Sequence, residues 1–544
     1  MKKWENNREK GFILAVCILG IAFLMLLVLN IFYGDHWLDS DMAAEMIFSK
    51  QIAEEGGYFT TPNWYYSTEF RLLYTQLFMV PLFHIFKDWH VIRVITNVLT
   101  YALMLGSYYY FMKPLKVSKT KVALSSVILL LPFSETFVTH MQMGNTYMPH
   151  VIIVFFCFGM FLRLVQQTKI LEKKRIILLV FYTLLCVACG MSGVRYMLAL
   201  QVPLVLTAVY YVFCSAAFTS LREKFDKENL KNVCKGEGFL CLVYSIYGAF
   251  FALVGYAVNV VVIARKFPFQ TYEATNFIKV FQGVLLERLQ DTAGNLLMLF
   301  GYIEEKGFLS LRGLISVIAF ALLVGIVLLV KRVKTLEAKK GKEADLRSFI
   351  RYFFVIAFVL NTFVFVFTTS TIVSRYYITV FIFVLPLLCF YFEMEERCLD
   401  RWLVLLFLCG CLGLATMKCV YSFIDKDKNA EEKKVVAFLE ENGYTFGYAS
   451  YWNANIMTEL SDGAVEVANI SDFEEMSFFR WSSPMRYYEA DYHQGKTFLL
   501  LAEEQRVKYG VLFLMQGGNV VYEDETYTVV HFDSVEEVLK GQNQ

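Results

Sequence analysis

The chain has 544 residues, of which 57% are hydrophobic, 17% aromatic and only 19% charged, with a mean hydropathy of +0.47. Those values exclude an ordinary soluble protein, and a formal net charge of +1 gives none of the bulk basicity of a nucleic-acid binder. The twelve cysteines fall in apolar segments or basic loops and end at Cys419, so no disulfide framework is expected; Cys186 and Cys189 have redox spacing but sit inside an apolar run, where they read as small packing residues.

In chain order, apolar windows of spanning length recur at 11–33, 91–112, 122–138, 147–165, 176–190, 197–219, 237–264, 313–331, 349–370, 374–393 and 402–423. They predict a polytopic α-helical membrane protein with about eleven transmembrane helices. No small-residue cleavage pattern follows the opening Met1-Lys2-Lys3 and its apolar run, so that run is kept as the first span. The stretches 72–87 and 276–302 are shorter or interrupted by polar residues and read as lying on the membrane surface.

Lys and Arg in short loops are retained on the cytoplasmic side. The N-terminus and the basic stretches at 113–121, 169–175, 222–235, 331–347 and 393–401 fall on one side of this arrangement, provided that 72–87 does not cross. The expected location is therefore the plasma membrane, multi-pass, with a cytoplasmic N-terminus. Outside lie the 34–90 loop, the short Ser134 to Tyr147 loop, the region after Cys189 with Arg195, the 265–312 segment, the turn from Thr368 to Arg375, and everything after 424. Residues 1–423 form the transmembrane domain. Residues 424–544 lose the apolar runs and form a small extracytoplasmic α/β domain, with a helix at 430–442, strands at 444–450 and 464–470, a helix ending near Lys508, and strands at 509–514 and 519–532.

Chemistry concentrates in the first outer loop. Its 34–71 stretch carries seven acids, Asp35, Asp39, Asp41, Glu45, Glu54, Glu55 and Glu69, against two bases, Lys50 and Arg71, with Trp64-Tyr65-Tyr66 between them. Asp39-Ser40-Asp41 opens a helix ending at Gly56-Gly57, so ordinary helix capping competes with any catalytic role for its carboxylates. A carboxylate at a partly desolvated interface has its charged form disfavoured, which moves its pKa toward proton abstraction. The second outer loop offers Glu135, His140 and Asn145-Thr146-Tyr147. Arg195 and Arg375, the latter followed by Tyr376, are lone guanidinium groups at an outer membrane boundary, where they pair, snorkel to headgroups or bind an anion. Tyr448 to Asn455, rich in aromatic and amide side chains at a strand end, suits either a glycan or a folded turn.

Asp39-Ser40-Asp41-Met42-Ala43-Ala44 after the first span, the Ala- and Glu-containing helix, the aromatic-polar loop, the surface helix with Pro81-Leu82, and Arg93 opening the second span make an ordered pattern. In that order it resembles the glycosyltransferase C superfamily, the membrane glycosyltransferases that use polyprenyl-phosphate-linked sugars, protein O-mannosyltransferases among them. The resemblance covers roughly the first 200 residues in motif order, and the rest in architecture. Two features depart from the family's pattern: Asp39-Ser40-Asp41 replaces an adjacent acidic pair, and Glu135 stands where many members have Asp.

The resemblance implies transfer of a sugar, hexosyl or pentosyl, from a polyprenyl-phosphate carrier to a cell-envelope acceptor (glycan, lipid or protein) at the outer face, with inversion. Asp41 is the first candidate base and Asp39 the second. Glu69 or Glu135 would orient the acceptor, and Arg195 and Arg375 would hold the phosphate, with Arg71, His140, Tyr376 and Tyr65 as further substrate-binding candidates. No cofactor is required by this reading; if a divalent metal such as Mg or Mn takes part, Asp39 and Asp41 are its donors. The rival is a transporter or flippase of lipid-linked saccharides, which would place ionisable residues at mid-bilayer, where these spans carry almost none.

Overall fold

The fold is taken from a computed structural model, which describes residues 2–144, 146–166, 173–269, 275–278, 284–302, 313–339, 345–489 and 491–539. Among the described residues nine helices are long and apolar enough to cross a membrane, or eleven spans if each of two bent helix pairs counts as one. The protein is a multi-pass membrane protein, and the count agrees with the hydropathy pattern. The first helix, Lys2–Tyr33, turns Ile13, Leu14, Ile21, Leu24 and Phe32 outward, as a lipid-facing span does.

One expected span is broken. Pro132 cannot continue the helix Lys119–Leu130, and Ser134 caps a new one, accepting from Phe137 N at 3.1 Å; the two are bent by 99°. Residues Val138–Met143 wind more widely, with Gly144 N bonding to Thr139 O at 2.9 Å. The expected loop at 134–147 is therefore mostly helical and carries His140. A Cβ on Gly144 would stand 2.5 Å from the Met42 side chain and 2.7 Å from Thr139 O, so only glycine lets this segment meet the 34–90 loop.

That loop is built from local signals. Asp39 is the N-cap of the helix Ser40–Glu54, accepting from Met42 N at 2.8 Å. Gly56 ends the helix in the left-handed region (φ +67°), and Gly57 N closes on Ile52 O at 2.9 Å. The surface helix is short, Gln76–Phe83, and does not cross. The second surface stretch yields Val284–Leu299, whose Arg288 reaches the carbonyl of Phe365 at 2.7 Å.

Eight strands occur among the described residues: β1 (Trp64–Tyr65), β2 (Phe446–Ser450), β3 (Glu466–Asp472), β4 (Ser477–Phe478), β5 (Ser483–Pro484), β6 (Thr497–Ala502), β7 (Asn519–Glu523) and β8 (Tyr527–Phe532). Six form one sheet, in the order β4-β3-β2-β6-β8-β7, with β2 parallel to both neighbours and β8 antiparallel to both of its own. The run 509–514, expected as a strand, belongs to the helix Glu503–Met515. A short apolar run has no periodicity that separates strand from buried helix.

The sheet region is fastened to the 34–90 loop. β1 pairs with β5, Met485 N bonds to Asn63 O at 3.0 Å, and Asn429 Nδ2 donates to the carbonyls of Asp35 (2.7 Å) and Leu38 (3.0 Å). The helix Tyr451–Leu460 lies on Ser40–Glu54: Ser40 Oγ donates to Tyr451 O and accepts from Asn455 Nδ2 at 3.1 Å. Beneath them Arg93 forks onto Glu459 (2.7 and 2.5 Å) and donates to Met42 O at 3.1 Å. The helix that opens with the acidic pair is thus gripped from both sides.

Candidate active site

Asp41 stands in the first turn of Ser40–Glu54, where the helix dipole favours an anion. Its two oxygens are engaged by different parts of the chain. The Tyr451 hydroxyl donates to Oδ1 at 2.6 Å, and Arg375 Nη1 lies 3.4 Å from Oδ2. Burial, and the Asp41 carboxylate it binds, push the Tyr451 phenol well above the usual value, so it donates at every pH at which the protein functions. Tyr451 was not singled out from the sequence beyond its place in the aromatic-amide run, because its partner lies 410 residues away.

Asp39 is set differently. Besides capping its helix, it lines a cleft of about 530 Å³ with His140, Glu135, Lys428 and Asn429. Burial and the neighbouring Asp41 charge raise its pKa from 3.8 to about 6, against the pull of the Met42 N–H and of Arg375. The two acids therefore divide labour: Asp41 is clamped, and Asp39 faces open space with a near-neutral pKa.

A second cleft, of about 480 Å³, lies on the Arg375 side and is lined by Glu69, Tyr147, Arg195 and Tyr376 with apolar walls from Val194, Leu198, Val202 and Leu360. Gly193, with φ +115°, makes the turn that brings Arg195 there. The Arg195 guanidinium stands 4.9 Å from the Tyr147 ring centre and 5.0 Å from that of Tyr376, ion-pairs with Glu69 and donates to the Tyr147 hydroxyl. Burial pushes Glu69 up, but the Arg195 charge and the nearby His150 imidazole (3.6 Å) outweigh it, and its carboxyl is held below the usual value. His150 had no distinguishing sequence signal. Val194 and Val202 are exposed, so this cleft opens to the protein's surface along an apolar wall.

The other candidates separate. Glu69 and Arg71 do not neutralise one another, since Arg71 pairs with the buried Glu45. His140 bonds through Nδ1 to Thr146 Oγ1 at 2.7 Å and remains on the Asp39 cleft. Glu135 is exposed at the rim and pairs with Lys428 at 2.5 Å, a surface bridge of small energetic weight. Tyr65 is spent on joining the sheet region, through the β1–β5 pairing and an edge contact to Tyr488 at 5.6 Å, and lines neither cleft. Asn145 lies outside the described residues. Of the aromatic-amide run, Tyr448 is buried in the sheet core, and Trp452 is exposed.

Among the described residues no group of three or more His, Cys, Asp or Glu side chains stands close enough to hold a metal. Asp41 already has both oxygens partnered and Asp39 has one on Met42 N, so a divalent cation held by this pair would take most of its oxygen ligands from water or substrate.

The fold and site define a multi-pass membrane protein in which Asp39 lines one cleft and Arg195 another, while Asp41 and Arg375, in contact with each other, line neither. No family model matches the chain, and no curated protein matches it. Among solved structures it is similar to ArnT from Cupriavidus metallidurans in the apo state, at 10% identity over 96% of this chain and 98% of that one, with a TM-score of 0.39. It is likewise similar to the same ArnT bound to undecaprenyl phosphate, at 11% identity over 95% and 97% of the two chains, with a TM-score of 0.40. A likeness this slight carries no functional argument, which rests instead on the side chains.

Proposed function

We propose that the protein is a membrane glycosyltransferase that moves a sugar from a polyprenyl-phosphate carrier to an acceptor hydroxyl at the outer face of the plasma membrane. The observation that carries the reading is the opposition of two groups across Asp41: a half-buried carboxylate with a pKa near 6 on one cleft, and an arginine-aromatic pocket with apolar walls on the other. The ordered pattern of acids, aromatics and surface helix in the first outer loop, with its resemblance to the glycosyltransferase C superfamily, supports it.

In this reading the lipid phosphate lies against Arg195 in its cleft and within the field of Arg375, which stands beside that cleft without lining it; planar guanidinium forks match phosphate oxygens, and the carrier chain leaves along Val194 and Val202. The acceptor hydroxyl arrives on the other side and gives its proton to Asp39 as its oxygen bonds to the anomeric carbon. The bond from that carbon to the phosphate oxygen breaks, the electron pair stays on the phosphate, and the two arginines balance the charge. Attack from the face opposite the phosphate inverts the anomeric centre. Asp41 holds Arg375 toward the phosphate, and its charge keeps Asp39 basic. Glu69 fixes Arg195 and orients rather than abstracts, since its carboxyl stays ionised and paired.

The test is release of undecaprenyl phosphate from a panel of undecaprenyl-phosphate hexoses and pentoses by the protein in nanodiscs, with a membrane extract as acceptor. Wild type releases it from at least one donor, and Asp39→Asn does not. Asn caps a helix as well as Asp, so this change isolates the charge. Movement of an intact lipid-linked sugar across vesicles, with no bond cleaved, would favour the flippase instead.

A further inference from the structure

The Asp39 cleft has two neighbouring spaces along the bundle, separated from it and from each other only by shared side chains. Phe133 on its wall also lines a narrow apolar space of about 90 Å³ below it. Leu322, Val384, Leu388 and Leu408 of that space also line a third space of about 540 Å³, a groove that opens to the bundle's surface past the exposed Leu328 and Leu403. One helix, Cys398–Asp425, borders all three. Asp400, Val404, Leu408, Leu412, Ala415 and Cys419 recur at intervals of three or four residues, so they form one stripe on its surface. At 1.5 Å per residue the stripe runs for about 30 Å, the thickness of a bilayer's hydrocarbon core.

The track is polarised along its length. Its upper end holds Asp39, His140 and Lys428. Its middle is lined by Leu, Ile, Val and Phe alone. At its foot stands Arg332, whose charge is balanced by Glu395 at 2.6 Å and Asp400 at 3.0 Å and so is spent before it can attract a headgroup. Such a cavity fits an amphiphile with its polar end at Asp39, and a constriction of about 90 Å³ admits one chain rather than several.

We propose that the acceptor is itself lipid-borne: a hydroxyl-bearing head carried on a single apolar chain, the chain threading this track between the helices Gly313–Lys339 and Cys398–Asp425. The inference rests on the reading above, in which the donor's phosphate and chain occupy the Arg195 cleft. The two lipids then enter from different sides of the bundle and meet only at the carboxylate pair.

The probe is a dodecyl β-glucoside with a diazirine at the chain end, photolysed with the protein in nanodiscs and mapped by peptide mass spectrometry. Label is expected in the peptides covering 313–339 and 398–425. It should fall about tenfold in Leu408→Trp and in Leu329→Trp, which fill the track from opposite walls, and should not fall when undecaprenyl phosphate is added to saturation. Binding of undecaprenyl phosphate itself is unchanged in both variants. Displacement of the label by undecaprenyl phosphate would overturn the assignment, because the track would then hold the carrier. Label spread evenly over lipid-facing spans and indifferent to both substitutions would overturn it as well. Failure of the transfer reading shows separately, as absence of undecaprenyl phosphate release from every donor, whatever the labelling pattern.

Discussion

Two arginine–glutamate pairs sit in the part of the molecule built around the 34–90 loop, and they differ in what surrounds them. Arg93 and Glu459 are sealed, with side chains 4% and 6% exposed, and border none of the cavities described above; every contact joins a span to the sheet region or to Met42. Arg195 and Glu69, 24% and 11% exposed, form the wall of a cleft. At the sealed pair burial wins and pushes Glu459 up to about 7, even beside an arginine, whereas at the cleft the partners win and Glu69 stays ionised. The same two residue types thus serve as a joint in one place and as a poised charge in the other. What separates them is open volume alongside, which no count of ion pairs reveals.

Neutral double replacements sharpen the contrast most. Arg195→Gln with Glu69→Gln keeps shape but removes the cleft's cation, and kcat/KM for transfer is expected to fall by about 10³. Arg93→Gln with Glu459→Gln leaves transfer within about threefold, since a buried pair replaced on both sides often costs little. Breaking the joint on one side is different. Arg93→Ala strands Glu459 and is expected to cost about 3–5 kcal/mol of stability, read as a lower thermal midpoint, with transfer lost only as the fold is lost.

A smaller effect tests whether the sheet region contributes to chemistry. Tyr451→Phe removes the hydroxyl on Asp41 Oδ1 and is expected to lower kcat about tenfold, with the thermal midpoint nearly unchanged. If kcat does not move, the sheet region grips the site without acting in it.

Asp39 carries a stability signature of its own. Its carboxyl titrates at about 6 in the folded chain and ordinarily at 3.8, so between those values the folded protein holds more protons than the unfolded one. Stability therefore falls as pH rises through that window and is flat above it. Asp39→Asn lifts this penalty and should be more stable than wild type at pH 7, by up to about 3 kcal/mol, and no more stable below pH 4. Equal thermal midpoints at both pH values would show that Asp39 titrates normally.

Much of this was legible in the sequence wherever the signal is local. Span positions follow from runs of apolar residues, and the Asp39 cap and the Gly56 stop follow from residue type at a helix end. The arginines at 195 and 375 were conspicuous because charge is rare at that depth. What stayed hidden was long-range. Nothing near Tyr451 announces Asp41, and nothing in Trp64-Tyr65 shows that the strand it makes is completed by Ser483–Pro484. The surroundings that distinguish the two acids were hidden too. Asp41 is held by partners distant in sequence, which leaves Asp39, favoured second from the sequence, as the group facing space. The break at Pro132 was visible as a residue, yet hydropathy averaged across it and returned one span where there are two helices.

The central claim is that Asp39 takes the acceptor's proton while Asp41 stays clamped beside it. The most direct test is the pH dependence of kcat/KM for the wild type, Asp41→Asn and Asp39→Asn in nanodiscs. Wild type should lose activity as pH falls through about 6, and Asp41→Asn should shift that limb to lower pH by removing the neighbouring charge. Asp39→Asn should be left with a residual rate that shows no such limb. Full activity in Asp39→Asn, with the wild-type limb intact, would contradict the account.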